Sequence, residues 1–86
     1  MRLISEDLLN DLPYEQVVLW ARTNENSGVQ IVASPLANME YDYVMGEYDT
    51  PGHVRKVMRS ILMRVGCESS GRYFIFPSRT EVQTWN

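Results

Sequence analysis

The sequence predicts an α+β fold: a four- to five-stranded, mostly antiparallel sheet with one amphipathic helix packed on one face. Three observations carry this reading. Residues 16–22 and 29–34, QVVLWAR and VQIVAS, are β-branched runs separated by TNENSG, whose Asn, Ser and Gly suit a hairpin loop. Residues 51–65 place Val54, Val57, Met58, Ile61, Leu62 and Val65 at helical spacing, forming one apolar stripe. No second long amphipathic helix exists to receive that stripe, so a sheet must receive it.

Taken in chain order, Arg2 to Ser5 predicts a short edge strand. Residues 5–12, SEDLLNDL, admit two readings: a helix capped by Ser5 and closed by Pro13, or a turn between extended segments, which is preferred. In the first long strand Val17, Leu19 and Ala21 share one face, and Val18, Trp20 and Arg22 the other. Neither face is purely polar, so both should be partly covered. Pro35 removes a backbone donor and ends the next strand. Tyr41 to Tyr48 alternates as a third strand, with Tyr41, Tyr43 and Met45 on one side. Arg72 to Phe76 makes a fourth, stopped by Pro77. For the helix, Thr50 or Asp49 supplies the cap and Pro51 stands where its missing N–H costs nothing. Gly66 suits a left-handed C-terminal cap.

Eighty-six residues make one domain, near the lower limit for folding on a single core. There is no low-complexity tract, no repeat and no apolar run long enough for a bilayer. The N-terminal MRLISEDLL has one basic residue and soon reaches Glu6 and Asp7, which argues against a signal peptide. The single cysteine, Cys67, cannot form an internal disulfide, in keeping with a cytoplasmic setting. Net charge is −3, but unevenly spread. Residues 1–50 hold nine acids against Arg2 and Arg22, a balance of −7; residues 51–86 hold six basic residues against Glu68 and Glu81, a balance of +4.

The stretches MRLISED, DLPYEQVVLWA, MGEYDTPGHVRKVM and YFIFPSRTEV run over much of the chain. Together they resemble small uncharacterised phage, prophage and integrative-element proteins of Gram-positive bacteria. Such proteins usually carry Gly in the N-terminal turn, where this chain has Leu8 and Leu9. The resemblance rests on structural punctuation rather than on reactive residues, so it implies a genomic origin and a host bacterial cytoplasm more than an activity.

Reactive groups are few. His53 is the one histidine, so no His pair or His-rich zinc set can be built, and in the first helical turn its ring should face solvent. Cys67 lies at the other end of the helix, about 20 Å away at ~1.5 Å rise per residue, too far for a Cys–His couple. The glycines form no phosphate-binding spacing. Asp42 and Glu47 should point to opposite faces of their strand, which leaves no carboxylate pair visible in sequence. A non-enzymatic protein with no metal and no cofactor is expected.

Two surfaces remain as candidates for partner binding. Arg55, Lys56, Arg59 and Arg64 share the helix with no acid among them, although helical surfaces ordinarily mix signs. Trp20 and Tyr43 represent aromatic groups on a sheet face that one helix alone cannot cover. The leading expectation is an interaction protein that binds and inhibits a host protein, with a defence component such as a CRISPR nuclease as target class and homodimerisation through a sheet face or strand edge. The alternatives are an oligomeric sponge holding a small anionic nucleotide between subunits, and a small nucleic-acid-binding regulator, the latter disfavoured by the negative net charge.

Overall fold

The computed structural model describes residues 1–25, 28–65 and 73–85. The chain is α+β, but its strands form two three-stranded sheets rather than one sheet of four or five. Sheet A has the order β2-β1-β6, from β1 (Arg2–Ile4), β2 (Asp11–Pro13) and β6 (Tyr73–Ile75). Strand β1 pairs antiparallel with β2 and parallel with β6, so it is the centre of its sheet and not the expected edge. Sheet B is the antiparallel meander β3 (Val17–Thr23), β4 (Val29–Pro35) and β5 (Tyr43–Tyr48). A single 3₁₀ turn, Tyr14–Gln16, joins β2 to β3.

Residues 5–10 form the turn and not the alternative helix. Ser5 Oγ donates to Asp7 Oδ1 at 2.6 Å and accepts from the Asn10 N–H at 3.0 Å, and Asp7 Oδ1 also accepts from the Leu9 N–H at 3.0 Å. Short polar side chains have here outcompeted helical backbone bonds. Leu8 stands at φ 64°, a left-handed conformation in which its Cβ is crowded.

Sheet B departs from plain alternation at one place. Ile31 faces Gly46 while Val32 faces Val44, leaving Met45 as the extra residue of a β-bulge. The freed Met45 carbonyl accepts a hydrogen bond from the Glu6 N–H at 2.8 Å, which ties the β1–β2 turn to the outer edge of β5. A bulged edge cannot continue a regular ladder, which accounts for two sheets in place of one. Beyond the bulge, Tyr48 folds back over Gly46: a Cβ at position 46 would collide with the Tyr48 hydroxyl and lie 2.8 Å from its Cζ. The Tyr48 ring is fully buried, and its hydroxyl donates to the Pro77 carbonyl at 2.9 Å, just beyond β6.

Helix α1 (Pro51–Val65) lies against β4 and β5, with the Thr50 hydroxyl capping the His53 N–H at 3.1 Å. Val54, Val57 and Ile61 are buried and Met58 packs at the margin of the core. The predicted stripe is narrower than expected, because Leu62 is 64% and Val65 48% exposed. A second helix that periodicity did not reveal, α2 (Arg79–Gln83), closes the fold. Its Ser78 side chain caps the Glu81 N–H, the S-x-x-E signature being present as Ser78–Arg79–Thr80–Glu81. One contiguous core joins Leu3, Phe74 and Phe76 beside sheet A to Ile31, Ala33, Met45 and Tyr48 of sheet B and to Val82 of α2. Gly66, Cys67 and Arg72, expected as a cap, an inert thiol and a strand start, lie outside the described residues.

Two outcomes test this account. Leu8→Gly should raise stability by roughly 1 kcal/mol, the strain of a left-handed leucine less the extra freedom of glycine when unfolded. In a domain of this size that is a rise of about 4–8 °C in the thermal midpoint. Burial holds the Tyr48 phenol well above its ordinary pKa, with the nearby charges of Glu6 and Glu81 acting in the same sense. A group whose folded pKa is raised contributes stability that is complete below the unfolded value, about 10, and is lost as pH rises beyond it. Thermal melts from pH 8 to 11 should show that alkaline loss in the parent and a smaller one in Tyr48→Phe.

Candidate partner-binding surface

Across α1 the four basic residues divide into two pairs. Lys56 is half-buried and its Nζ donates to the Trp85 carbonyl at 2.8 Å, fastening the C-terminal segment to the helix. Arg64 donates to the Tyr73 carbonyl at 3.2 Å and sets its guanidinium 5.8 Å from the Phe74 ring centroid, so it holds β6. Arg55 and Arg59 are exposed and make no hydrogen bond or ion pair with any described residue. They stand one helical turn apart on an arc that also carries Leu62 and Met63, the latter 71% exposed. Beside Arg59 a shallow groove of about 380 Å³ is lined by Lys56, Arg59, Ser60, Met63 and Trp85.

Among the described residues no acid pairs with these arginines, and several acids serve other cations. Arg2 pairs with Asp11 at 2.8 Å, and Arg22 lies 3.4 Å from Asp42. Arg79 bridges Asp49 at 3.1 Å and Glu47 at 3.7 Å, and Asp49 also accepts from the Gln83 amide. Asp49 is thereby drawn to α2 instead of capping α1. Glu47 is likewise taken up by Arg79 and by Gln30, whose Nε2 donates to it at 2.6 Å.

Trp20 and Tyr43 do not form one aromatic patch. Tyr43 pairs with Ala33 on the core face of sheet B and packs at the margin of the core, whereas Trp20 pairs with Val32 on the outer face. The bulge also reverses the expected division of carboxylates, because Asp42 and Glu47 both reach the outer face. There a chain of polar contacts crosses the sheet. Trp20 Nε1 donates to Ser34 Oγ at 2.8 Å, Ser34 Oγ donates to Asp42 Oδ1 at 3.0 Å, and Arg22 Nε donates to Gln30 Oε1 at 2.9 Å. The Arg22 guanidinium lies 5.5 Å from the Trp20 ring centroid. Val32 is completely buried between its cross-strand neighbours Trp20 and Val44. The outer face is thus internally satisfied, and Trp20 is half-buried within it.

His53 is partly buried instead of facing solvent, and its Nδ1 is shielded without a partner. Among the described residues, no three of the His, Cys, Asp and Glu side chains gather closely enough to hold a metal ion. No described helix is long and apolar enough to cross a membrane. Leu62 and Met63 are the surface residues that sequence reasoning misplaced or passed over. The spacing assigned Leu62 to the core, and the signal for Met63 was its position one turn after Arg59. Family models, curated proteins and solved structures give no match to this chain.

The division of the basic residues has a measurable consequence. Lys56→Ala should cost about 1 kcal/mol by stranding the Trp85 carbonyl, whereas Arg55→Ala should change stability by less than about 0.5 kcal/mol. Urea unfolding of the two variants beside the parent checks this.

Proposed function

We propose that the chain is a non-enzymatic interaction protein that occupies an acidic surface of another protein through the exposed arc of α1. The observation that carries this reading is the pair Arg55 and Arg59, without carboxylate or carbonyl partners among the described residues while Arg2, Arg22 and Arg79 are ion-paired. Two guanidinium groups one turn apart suit paired hydrogen bonds to carboxylates. Leu62 and Met63, exposed on the same arc, add the apolar contact that a protein partner supplies and a phosphate backbone does not. The sequence resemblance to phage and integrative-element proteins supports a host protein as the partner, inhibited by occupation of its surface. Defence components, CRISPR nucleases among them, are the target class. The groove beside Trp85, with Lys56 and Arg59 on its rim, favours the small anionic nucleotide as the second reading.

The test is a retention experiment on bacterial extract with immobilised parent and with the double variant Arg55→Glu, Arg59→Glu. A host protein held by the parent should be lost from the variant, while the thermal midpoint stays within a degree or two, since both side chains are solvated. Retention unaffected by the double reversal would remove the arc as the binding surface. A nuclease-sensitive prey, with affinity falling steeply with salt, would point to nucleic acid instead. A nucleotide co-purifying with the parent would favour the sponge.

A further inference from the structure

Strand β3 is an edge of sheet B, and nothing among the described residues pairs with its outer side. The ladder fixes which backbone groups are left over. Gln16 accepts from the Leu36 N–H and Asn24 donates to the Gly28 carbonyl, so the even-numbered residues of β3 bond to β4. By antiparallel alternation the N–H and C=O groups of Leu19, Ala21 and Thr23, and the C=O of Val17, whose N–H closes the 3₁₀ turn, point away from the sheet. The side chains of Val17 and Leu19 meanwhile lie at the core margin, because α1 rests over β4 and β5 and not over β3. The result is a groove of about 380 Å³ between β3 and α1, lined chiefly by Tyr14, Val17, Leu19, Met58, Ile61 and Leu62.

Edge strands are normally protected by charge, proline, a bulge or brevity. Strand β2 is three residues long and ends in Pro13, β6 is three residues long, and β5 is bulged and met by Glu6. By contrast β3 runs for seven residues without a bulge and carries no charge or proline from Val17 to Ala21. A row of unpaired backbone groups beside an apolar groove calls for an extended strand, whose backbone completes the ladder and whose alternate side chains enter the groove.

We infer that the occupant is β3 of a second copy of this chain, paired antiparallel about a two-fold axis at Leu19. Cross-strand pairing favours this register. Centred on Leu19, the pairing sets Val18 against Trp20 of the second copy, an aromatic to β-branched pair, and Arg22 against Gln16 of the second copy. Centred one residue later, on Trp20, it sets Glu15 against Glu25 of the second copy, a like-charge contact. In the Leu19 register Leu19 exchanges both backbone bonds with its counterpart, and each Ala21 N–H donates to the Val17 carbonyl of the other copy. The second copy's Val17 and Leu19, one strand spacing of about 4.8 Å further out, lie beside Met58. The two meanders then form one six-stranded sheet, an isologous interface closed by its own symmetry. The self-association expected from the sequence acquires a definite location, separate from Arg55 and Arg59.

Sedimentation at micromolar concentration tests this with two variants. Ala21 is exposed and its N–H faces outward, so Ala21→Pro removes no bond within the chain but blocks strand addition. Ala21→Lys keeps the N–H and introduces a charge opposite Val17 of the second copy, which serves if the proline variant folds poorly. The parent should sediment as a dimer of the 10.0 kDa chain. Each folded variant should shift to monomer, with dimer affinity at least tenfold weaker, and Arg55→Glu, Arg59→Glu should dimerise as the parent does. Amide exchange at Leu19 and Ala21 should slow as parent concentration rises. A parent that stays monomeric, or a dimer that survives both Ala21 substitutions, overturns the inference. So does a monomeric parent whose Leu19 and Ala21 amides become protected only when another protein binds, which would make the occupant a foreign strand.

Discussion

The packing of Tyr48 over Gly46, one residue past the β5 bulge, is the constraint on which the two-sheet arrangement depends. Hydrogen bonds at this corner join sheet B to sheet A at two points: Glu6 to the Met45 carbonyl and Tyr48 to the Pro77 carbonyl. The first depends on the bulge, which frees a carbonyl at an edge that would otherwise present a regular ladder. The second depends on glycine, because any side chain at position 46 takes the space of the Tyr48 ring, which is buried and anchored and has nowhere to go. Position 46 therefore tolerates nothing larger than hydrogen without moving the centre of the core.

That corner also sets the electrostatics of the surface. With β5 bulged, Asp42 and Glu47 share the outer face, where Asp42 meets Arg22 and Glu47 meets both Gln30 and Arg79. Asp49, at the end of the same strand, holds Arg79 and Gln83 and so anchors α2. Asp42, Glu47 and Asp49 are thereby engaged with Arg22 and Arg79 and not with the cations of α1. Lys56 and Arg64 find partners among carbonyls, whereas Arg55 and Arg59 bond to no described residue.

Much of the architecture was legible because it rests on local rules. The hairpin β3–β4, the stop at Pro35 and the span of α1 all follow from β-branched runs, a proline and helical spacing. The strand–turn–strand reading of residues 2–16 holds as far as Pro13, with Tyr14–Gln16 a 3₁₀ turn instead of strand, even though the turn puts Leu8 in a conformation that sequence rules reserve for glycine. What escaped was non-local. A bulge adds one residue to one strand and leaves no mark in composition, so the facing of Asp42 and Glu47 was misjudged. The parallel pairing of β1 with β6 joins segments some seventy residues apart, beyond the reach of periodicity. Leu62 satisfies the helical stripe, yet the sheet beneath it ends at β3, which α1 does not cover. Of the candidate site, the basic helix could be read directly, but which two of its four cations remain unpaired depended on where Trp85 and Tyr73 come to lie.

A chain of net charge −3 with one basic arc discriminates among partners by range. At physiological salt the Debye length is about 8 Å, so a long polyanion at a distance meets the acidic whole, while a surface in contact with α1 meets chiefly Arg55 and Arg59. Continuous phosphate chains, whose affinity depends on neutralising many charges at once, gain little from two arginines flanked by Leu62 and Met63. A compact surface offering a few carboxylates around an apolar spot gains from all four side chains. Among the described residues Asp11, Asp42 and Asp49 are drawn to Arg2, Arg22 and Arg79, which leaves the positive charge of Arg55 and Arg59 on one arc, so the partner proposed above would meet a surface shaped by how the domain is held together.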